Sequence, residues 1–143
     1  FIIAGSGDME RYVIEKVAEL GIADKVMFAG FVTGKDVDMA YRMADLYVMP
    51  SVSEPFGITP LEALRNNVPV LISKQSGVSE VLENALKVDF WDIDETANMI
   101  ITALRYPELR QELSERGSSE VTRFSWDIPA EKCIKAYKEL LGI

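Results

Sequence analysis

The sequence predicts an α/β fold: a three-layer domain in which a parallel sheet is flanked by helices, followed by an all-helical C-terminal stretch. Two observations support this fold class. Short apolar runs alternate with segments of helical spacing, which is typical of strands covered by helices on both faces. The chain has 143 residues, of which 48% are apolar and 27% charged, so it is long enough for one domain with its own core.

The predicted strands are five short segments rich in apolar or β-branched residues, most of which end at Gly, Pro or Ser. They cover residues 1–4, 26–29, 46–49, 70–72 and 85–88. Because continuous apolar strands separated by helices indicate a parallel sheet, we expect these strands to be buried.

Helices are predicted where apolar residues recur three or four positions apart. Two such stripes lie before the third strand, at Met9, Val13, Val17 and Leu20 and at Val37, Tyr41 and Ala44. Helical patterns alone follow the fifth strand, and the last of them contains Ala130, Cys133, Ile134, Tyr137, Leu140 and Leu141. We expect this last stripe to pack into the core, with Cys133 as a small buried residue.

Charge and residue usage exclude several classes of function. A net charge of −8 repels phosphates and anionic headgroups, so neither nucleic acid nor an anionic lipid surface is expected as the main partner. The single cysteine permits no internal disulfide, which fits a reducing cytoplasm. The absence of histidine excludes Ser-His-Asp and Cys-His chemistry and makes a metal site unexpected. We interpret Asp94 as a helix N-cap, not a metal ligand.

The ends of the predicted strands indicate where a ligand binds. In an open parallel sheet, ligands bind at the carboxyl ends of the strands, here residues 5–7, 30–32, 50–54, 73–77 and 89–94. The first of these turns is Gly5-Ser6-Gly7, which begins like the glycine-rich fingerprint of a dinucleotide-binding site. Glu10 stands where that fingerprint has its third glycine, so a dinucleotide-binding site is excluded. A turn close to a phosphate and an ordinary strand-to-helix turn both remain consistent with it.

The segment after the third strand predicts a helix N-terminus. Thr59 suits the N-cap, Pro60 suits the first helical position, and Glu62 stands three residues after Thr59, which completes a capping box. The free backbone N–H groups of Gly57, Ile58 and Thr59 would then form an anion site suited to phosphate. Asn67 is expected to adopt the left-handed conformation that ends this helix.

Two carboxylates, Glu54 and Glu62, flank this predicted helix start. Carboxylates accept hydrogen bonds from sugar hydroxyls. A phosphate site between two such carboxylates would therefore suit a nucleotide sugar. The alternative interpretation is that Glu62 only closes the capping box and Glu54 is a solvated loop charge.

The same segment resembles the signature of the family-4 retaining glycosyltransferases, which have the GT-B fold. Glu54 and Glu62 match the two glutamates of that signature, which are separated by seven residues. Further matches run along nearly the whole chain, at Ala4-Gly5-Ser6-Gly7, Phe28-Ala29-Gly30, Ala44-Asp45, Pro50-Ser51, Phe56-Gly57, Pro69-Val70, Gly77, Glu80-Val81 and Phe124-Ser125-Trp126.

The resemblance implies that residues 1–143 are the Rossmann-like, nucleotide-sugar-binding C-terminal half of a retaining hexosyltransferase. It implies that Glu54 contacts the donor sugar hydroxyls as the catalytic residue, that Glu62 holds the ribose, and that neither metal ion nor cofactor is needed. The other implied donor-binding positions are amides that line the sugar and diphosphate, at Phe56, Gly57, Ile58 and Thr59, and backbone that faces the base, near Phe31 and Val32.

The resemblance also implies what lies outside this chain. The family's Arg and Lys that neutralise the leaving diphosphate, and its N-terminal acceptor-binding domain, would precede Phe1. We therefore expect the fragment alone to be inactive. Two alternatives remain open: a nucleotide-sugar epimerase or phosphorylase of the same fold, and a non-catalytic α/β interaction domain.

Overall fold

The structure, a computed structural model, describes residues 1–142. The chain forms two compact units, Phe1–Ala40 and Tyr41–Ile143. In the first unit, strand β1 (Ile2–Ala4) pairs in parallel with β2 (Met27–Gly30), and helix α1 (Glu10–Glu19) connects them. This unit is a parallel βαβ arrangement, as the alternating pattern predicts.

The strands of the first unit are not buried, contrary to expectation. All three residues of β1 are exposed, and β2 alternates between exposed and half-buried positions. Pairing two strands covers neither face of the ribbon, so its side chains stay exposed wherever no other element packs on them.

The second unit contains a three-stranded parallel sheet in the order β3 (Tyr47–Met49), β4 (Val70–Ser73) and β5 (Leu86–Val88). The central strand β4 is buried at all four positions. Helix α3 (Ile58–Arg65) connects β3 to β4. The largest fully buried apolar side chains of the chain belong to this unit and include Leu64, Leu71, Ile72, Leu82, Val70, Val78 and Val88.

Four further α-helices and two short 3-10 helices (Ala23–Lys25 and Gly77–Glu80) complete the element order within residues 1–142. Helix α2 (Lys35–Arg42) precedes β3, and α4 (Ile93–Arg105), α5 (Pro107–Val121) and α6 (Asp127–Leu141) follow β5. The five strands begin and end within one residue of their predicted bounds, although their ladders form two sheets of two and three strands. The α/β class with parallel strands flanked by helices is therefore confirmed. Within residues 1–142, no helix combines the length and apolar character that crossing a bilayer requires.

The end of α3 follows the prediction closely. Asn67 has a φ angle of 60°, the left-handed conformation predicted for it. Its N–H donates to the carbonyl of Leu64, and the N–H of Val68 donates to the carbonyl of Ala63, both at 3.0 Å. These two bonds form a Schellman motif, which satisfies carbonyls that the helix leaves open.

Two predictions about the C-terminal helices are wrong. Helix α4 is capped by Asp92, whose side chain accepts from the N–H of Glu95 at 2.9 Å, whereas Asp94 lies in the first turn. Helix α6 contains no buried residue, and Cys133 is exposed. An amphipathic stripe indicates that a helix has an apolar face, but it does not determine what covers that face.

Glu120 on α5 is a buried carboxylate that holds the turn before β5. Its side chain is 6% exposed and accepts hydrogen bonds from the backbone N–H groups of Glu83 and Asn84 and from the Asn84 amide. Burial alone would raise the pKa of Glu120, but these hydrogen bonds, assisted by Arg123, outweigh it and lower the pKa below its ordinary value of 4.5.

Because the folded-state pKa of Glu120 is lowered, its contribution to stability is present above about pH 4.5 and is lost as the pH falls through the folded-state pKa. We expect Glu120→Gln to lower the free energy of unfolding at neutral pH by roughly 1 kcal/mol, since one of the acceptor oxygens becomes a donor. Denaturant unfolding at neutral pH and near pH 3 measures this difference. An equal loss at both pH values would contradict the assignment.

Candidate functional site

The loop over residues 50–57 follows β3 at the carboxyl edge of the three-stranded sheet, and backbone hydrogen bonds tie it to the segment that follows β4. The N–H of Gly77 donates to the carbonyl of Glu54 at 2.9 Å, and the N–H of Val78 donates to the carbonyl of Phe56 at 2.5 Å. The Glu54 side chain also accepts from the N–H of Phe56 at 3.3 Å. The loop that carries Glu54 therefore has a fixed path.

Two glycines permit this path. Gly57 has a φ angle of 98°, and a Cβ there would lie 3.2 Å from side-chain atoms of Met49 and Val78. A Cβ on Gly77 would overlap the carbonyl oxygen of Pro55. Both positions therefore exclude a larger residue, the first by conformation and the second by the close approach of two backbones.

Helix α3 begins earlier than predicted. Its N-cap is Gly57, and no side chain caps it, so the predicted capping box of Thr59 and Glu62 is wrong. Thr59 lies inside the first turn, where its Oγ1 accepts from the hydroxyl of Tyr47 at 2.8 Å and donates to the sulfur of Met49 at 3.6 Å. The left-handed Gly57 starts the helix, and residues of β3 engage the Thr59 hydroxyl.

Although α3 begins earlier than predicted, the backbone N–H groups predicted to bind an anion still lie at its N-terminus. Ile58 and Thr59 are the first two residues of α3, where N–H groups have no partner in the preceding turn. Pro60, third in the helix, has no N–H to satisfy. The first turn therefore presents the amides of Gly57, Ile58 and Thr59 at the positive end of the helix dipole.

Glu62 is available for a ligand because it takes no part in capping. Its carboxylate is half-buried, and its Oε2 accepts a hydrogen bond from the hydroxyl of Tyr41 at 3.2 Å. The ring of Tyr41 contacts that of Tyr47 edge to face, with centroids 5.6 Å apart.

Tyr47 lies within the electrostatic influence of both glutamates. Burial raises its pKa, the hydrogen bond to Thr59 opposes the rise, and the negative charges of Glu62 and Glu54 add to it. The Glu54 side chain also lies at the start of α3, because its Cγ would be 3.3 Å from a Cβ placed on Gly57.

A cavity of about 690 Å³ borders this region. It lies between α3 and the segment that joins α5 to α6, and Phe56, Ile58 and Glu62 line it together with Phe124 and Trp126. Glu54 does not line this cavity. The motif Phe124-Ser125-Trp126 therefore reaches the same helix as the candidate site.

The remaining predicted site residues belong to the first unit. Phe31 and Val32 follow β2 directly, and Phe31 is 81% exposed. They follow Gly30, which has a φ angle of 63°. Across residues 1–142, no three Cys, Asp or Glu side chains are grouped so that they could hold a metal ion.

Sequence reasoning missed two residues of the site, Tyr41 and Tyr47. Tyr41 was predicted only as part of a helical stripe, and Tyr47 only as part of a strand. Tyr41 is buried and Tyr47 is half-buried, and a tyrosine hydroxyl removed from water needs a polar partner. This requirement for a partner could have indicated that both tyrosines belong to a polar site. The partners themselves could not be identified, because they lie 21 and 12 residues away in sequence.

The chain resembles proteins of one family along most of its length. Residues 1–120 match the family described as glycosyl transferases group 1. An uncharacterized glycosyltransferase of Methanocaldococcus jannaschii is 35% identical over 99% of this chain and 38% of its own length. A D-inositol 3-phosphate glycosyltransferase of Saccharomonospora viridis is 30% identical over 97% of this chain and 33% of its own length. The chain thus spans about a third of these curated relatives.

Solved structures share the fold. A sucrose-phosphate synthase from Thermosynechococcus elongatus superposes with a TM-score of 0.85, at 28% identity, over 99% of this chain and 38% of its own. The C-terminal domain of a glycosyl transferase group 1 family protein from Francisella tularensis gives a TM-score of 0.74 at 25% identity, over 81% of this chain and 62% of its own. The Rossmann-like half of a GT-B architecture is therefore confirmed.

Proposed function

The chain belongs to the group 1 glycosyl transferases, and from that premise we propose that it is the donor-binding domain of a retaining hexosyltransferase. The full-length enzyme would transfer a sugar from a nucleoside diphosphate to an acceptor hydroxyl. The observation that carries this proposal is the first turn of α3, which no side chain caps. The Glu54 side chain lies against Gly57 at the start of this turn, and Glu62 follows one turn later in the helix.

Each part of this arrangement suits one part of a nucleotide sugar. The amides of Gly57, Ile58 and Thr59 suit the diphosphate, because a helix N-terminus stabilises negative charge. Glu62 suits the paired hydroxyls of the ribose, and Glu54 those of the donor sugar, because carboxylates accept several hydrogen bonds at once.

The diphosphate is the group on which negative charge develops when the bond to the anomeric carbon breaks. Preformed backbone donors that face this charge lower the barrier to transfer. We propose that Glu54 orients the sugar during this step as the catalytic residue and that the backbone at Phe56 lines the sugar and diphosphate. The backbone near Phe31 and Val32 would face the base, and no metal ion or cofactor would be required.

The rest of the enzyme would supply what this chain lacks. The chain spans 38% and 33% of the two curated relatives described above, and a solved structure that it matches is described as a C-terminal domain. We propose that residues 1–143 are likewise a C-terminal domain, that a preceding domain binds the acceptor, and that the fragment alone is inactive. With a single cysteine, a reducing cytoplasm is the compartment that suits it.

Product analysis of the full-length protein tests this function. The protein is incubated with UDP-, ADP- and GDP-linked hexoses and candidate acceptors, and the released nucleoside diphosphate and the anomeric configuration of the product are measured. We expect one donor to be consumed with retention of configuration. An isomerised nucleotide sugar, an inverted product, or no turnover of any nucleotide sugar would contradict the proposal.

The role of Glu54 is tested in the same assay. Glu54→Gln keeps the shape of the side chain but removes the charge that strengthens hydrogen bonds to hydroxyls. We expect turnover to fall roughly tenfold, while the affinity for the free nucleoside diphosphate stays unchanged because Glu54 contacts only the sugar. Glu131→Gln, at an exposed position of α6, is the matched control. Equal losses of turnover and diphosphate affinity would contradict this role.

A further inference from the structure

We propose that Tyr41 is a positioning residue whose hydroxyl holds the Glu62 carboxylate in the orientation that receives the ribose of a nucleoside diphosphate. This inference rests on the function proposed above. It adds a residue that belongs to none of the matched motifs.

The contact between Tyr41 and Glu62 joins two helices. Tyr41 lies in the last turn of α2 and is 9% exposed. Its hydroxyl donates to Oε2 of Glu62 at 3.2 Å, across 21 residues of sequence. A hydrogen bond to a charged acceptor is stronger than one between neutral groups, so this contact restrains the rotation of the Glu62 carboxylate.

The ring of Tyr41 is itself held in place. It meets the ring of Tyr47 edge to face, at 5.6 Å between centroids and an interplanar angle of 73°, a favourable aromatic geometry. The Tyr47 hydroxyl in turn donates to Oγ1 of Thr59 at 2.8 Å. The tyrosine pair therefore fixes Thr59 and Glu62, which lie one turn apart on α3.

This restraint matters because a glutamate has three rotatable side-chain bonds, and freezing them on binding costs free energy. A single phenol donor uses one of about four lone-pair sites of a carboxylate. The remaining sites can accept the two neighbouring hydroxyls of a ribose. Tyr41 thus prepares Glu62 before the ligand arrives, as a supporting residue does in a preorganised site.

The test compares two ligands in the full-length protein and its Tyr41→Phe variant. The first is whichever of UDP, ADP and GDP binds the wild type most tightly, and the second is its 2′,3′-dideoxy counterpart, which lacks both ribose hydroxyls. We expect Tyr41→Phe to weaken binding of the first ligand by roughly fivefold and to leave binding of the second unchanged. Tyr106→Phe, at a tyrosine that is 54% exposed, is the control and should change neither.

Each other outcome has a definite meaning. Equal weakening of both ligands would mean that Tyr41 only supports the fold, and unchanged binding of both would mean that it does not act on Glu62; either result overturns the inference. A double-mutant cycle adds a second readout, because Tyr41→Phe should have no further effect when Glu62 is already alanine. If the wild type binds no nucleoside diphosphate, the proposed function itself fails, and that result is distinguishable from the first two.

Discussion

Replacing Glu62 by alanine is expected to weaken binding of a nucleoside diphosphate sugar to the full-length protein by about a hundredfold. The carboxylate would accept two ribose hydrogen bonds, and bonds to a charged group contribute about 1.5 kcal/mol each. Their loss amounts to about 3 kcal/mol, which corresponds to that factor in the dissociation constant. Isothermal titration calorimetry measures the change directly.

The same variant distinguishes a binding role from a capping role. In a Tyr41→Phe background, which already lacks the bond that Glu62 accepts from Tyr41, Glu62→Ala should lower the free energy of unfolding by less than about 1 kcal/mol, the typical value for a lost helix cap, because Glu62 forms no capping bond in the structure. Glu131→Ala, which changes an exposed glutamate on α6, controls for the loss of one negative charge. If Glu62→Ala bound the nucleoside diphosphate sugar as tightly as the wild type, Glu62 would not contact the ribose.

Replacing Gly77 by alanine is expected to destabilise the protein by about 3 kcal/mol and to abolish donor binding with it. The new Cβ would overlap the carbonyl oxygen of Pro55 and lie 3.1 Å from the Cα of Phe56. Both are backbone atoms, which cannot rotate aside as a side chain can. The loop would have to move, which would break the 2.9 Å bond from Gly77 to Glu54.

Denaturant unfolding and donor titration of the Gly77→Ala variant test this expectation. The control is Gly7→Ala, because an added Cβ at Gly7 meets no heavy atom within 4 Å; that change should shift the free energy of unfolding by no more than about 0.5 kcal/mol. If Gly77→Ala were as stable as the control and bound the donor normally, the close approach of the two loops would not be needed for the site.

The sequence predicts those features that depend on local patterning. The strands follow from short apolar runs, and the end of α3 follows from Asn67, since asparagine tolerates the left-handed conformation. The grouping of Glu54 and Glu62 was also predictable, because both lie close in sequence to one helix start.

Features set by distant contacts were not predictable. Helix α3 begins after the left-handed Gly57, two residues before the predicted N-cap Thr59, and the Thr59 hydroxyl contacts Tyr47 and Met49 of β3 instead of capping the helix. The role of Tyr41 depends on a partner 21 residues away. The role of Glu120 depends on the backbone N–H groups of Asn84 and Glu83, which lie 36 and 37 residues away in sequence. No local pattern records such pairings, and the exposed face of α6 shows that amphipathicity alone does not determine burial.

Hydrogen–deuterium exchange on the full-length protein, with and without its tightest-binding nucleoside diphosphate, tests the central claim most directly. The ligand should occupy the amides at the start of α3, so residues 57–62 are predicted to exchange more slowly when it is bound. Binding that protects other segments and leaves the exchange of residues 57–62 unchanged would contradict the assignment of the donor site to this helix.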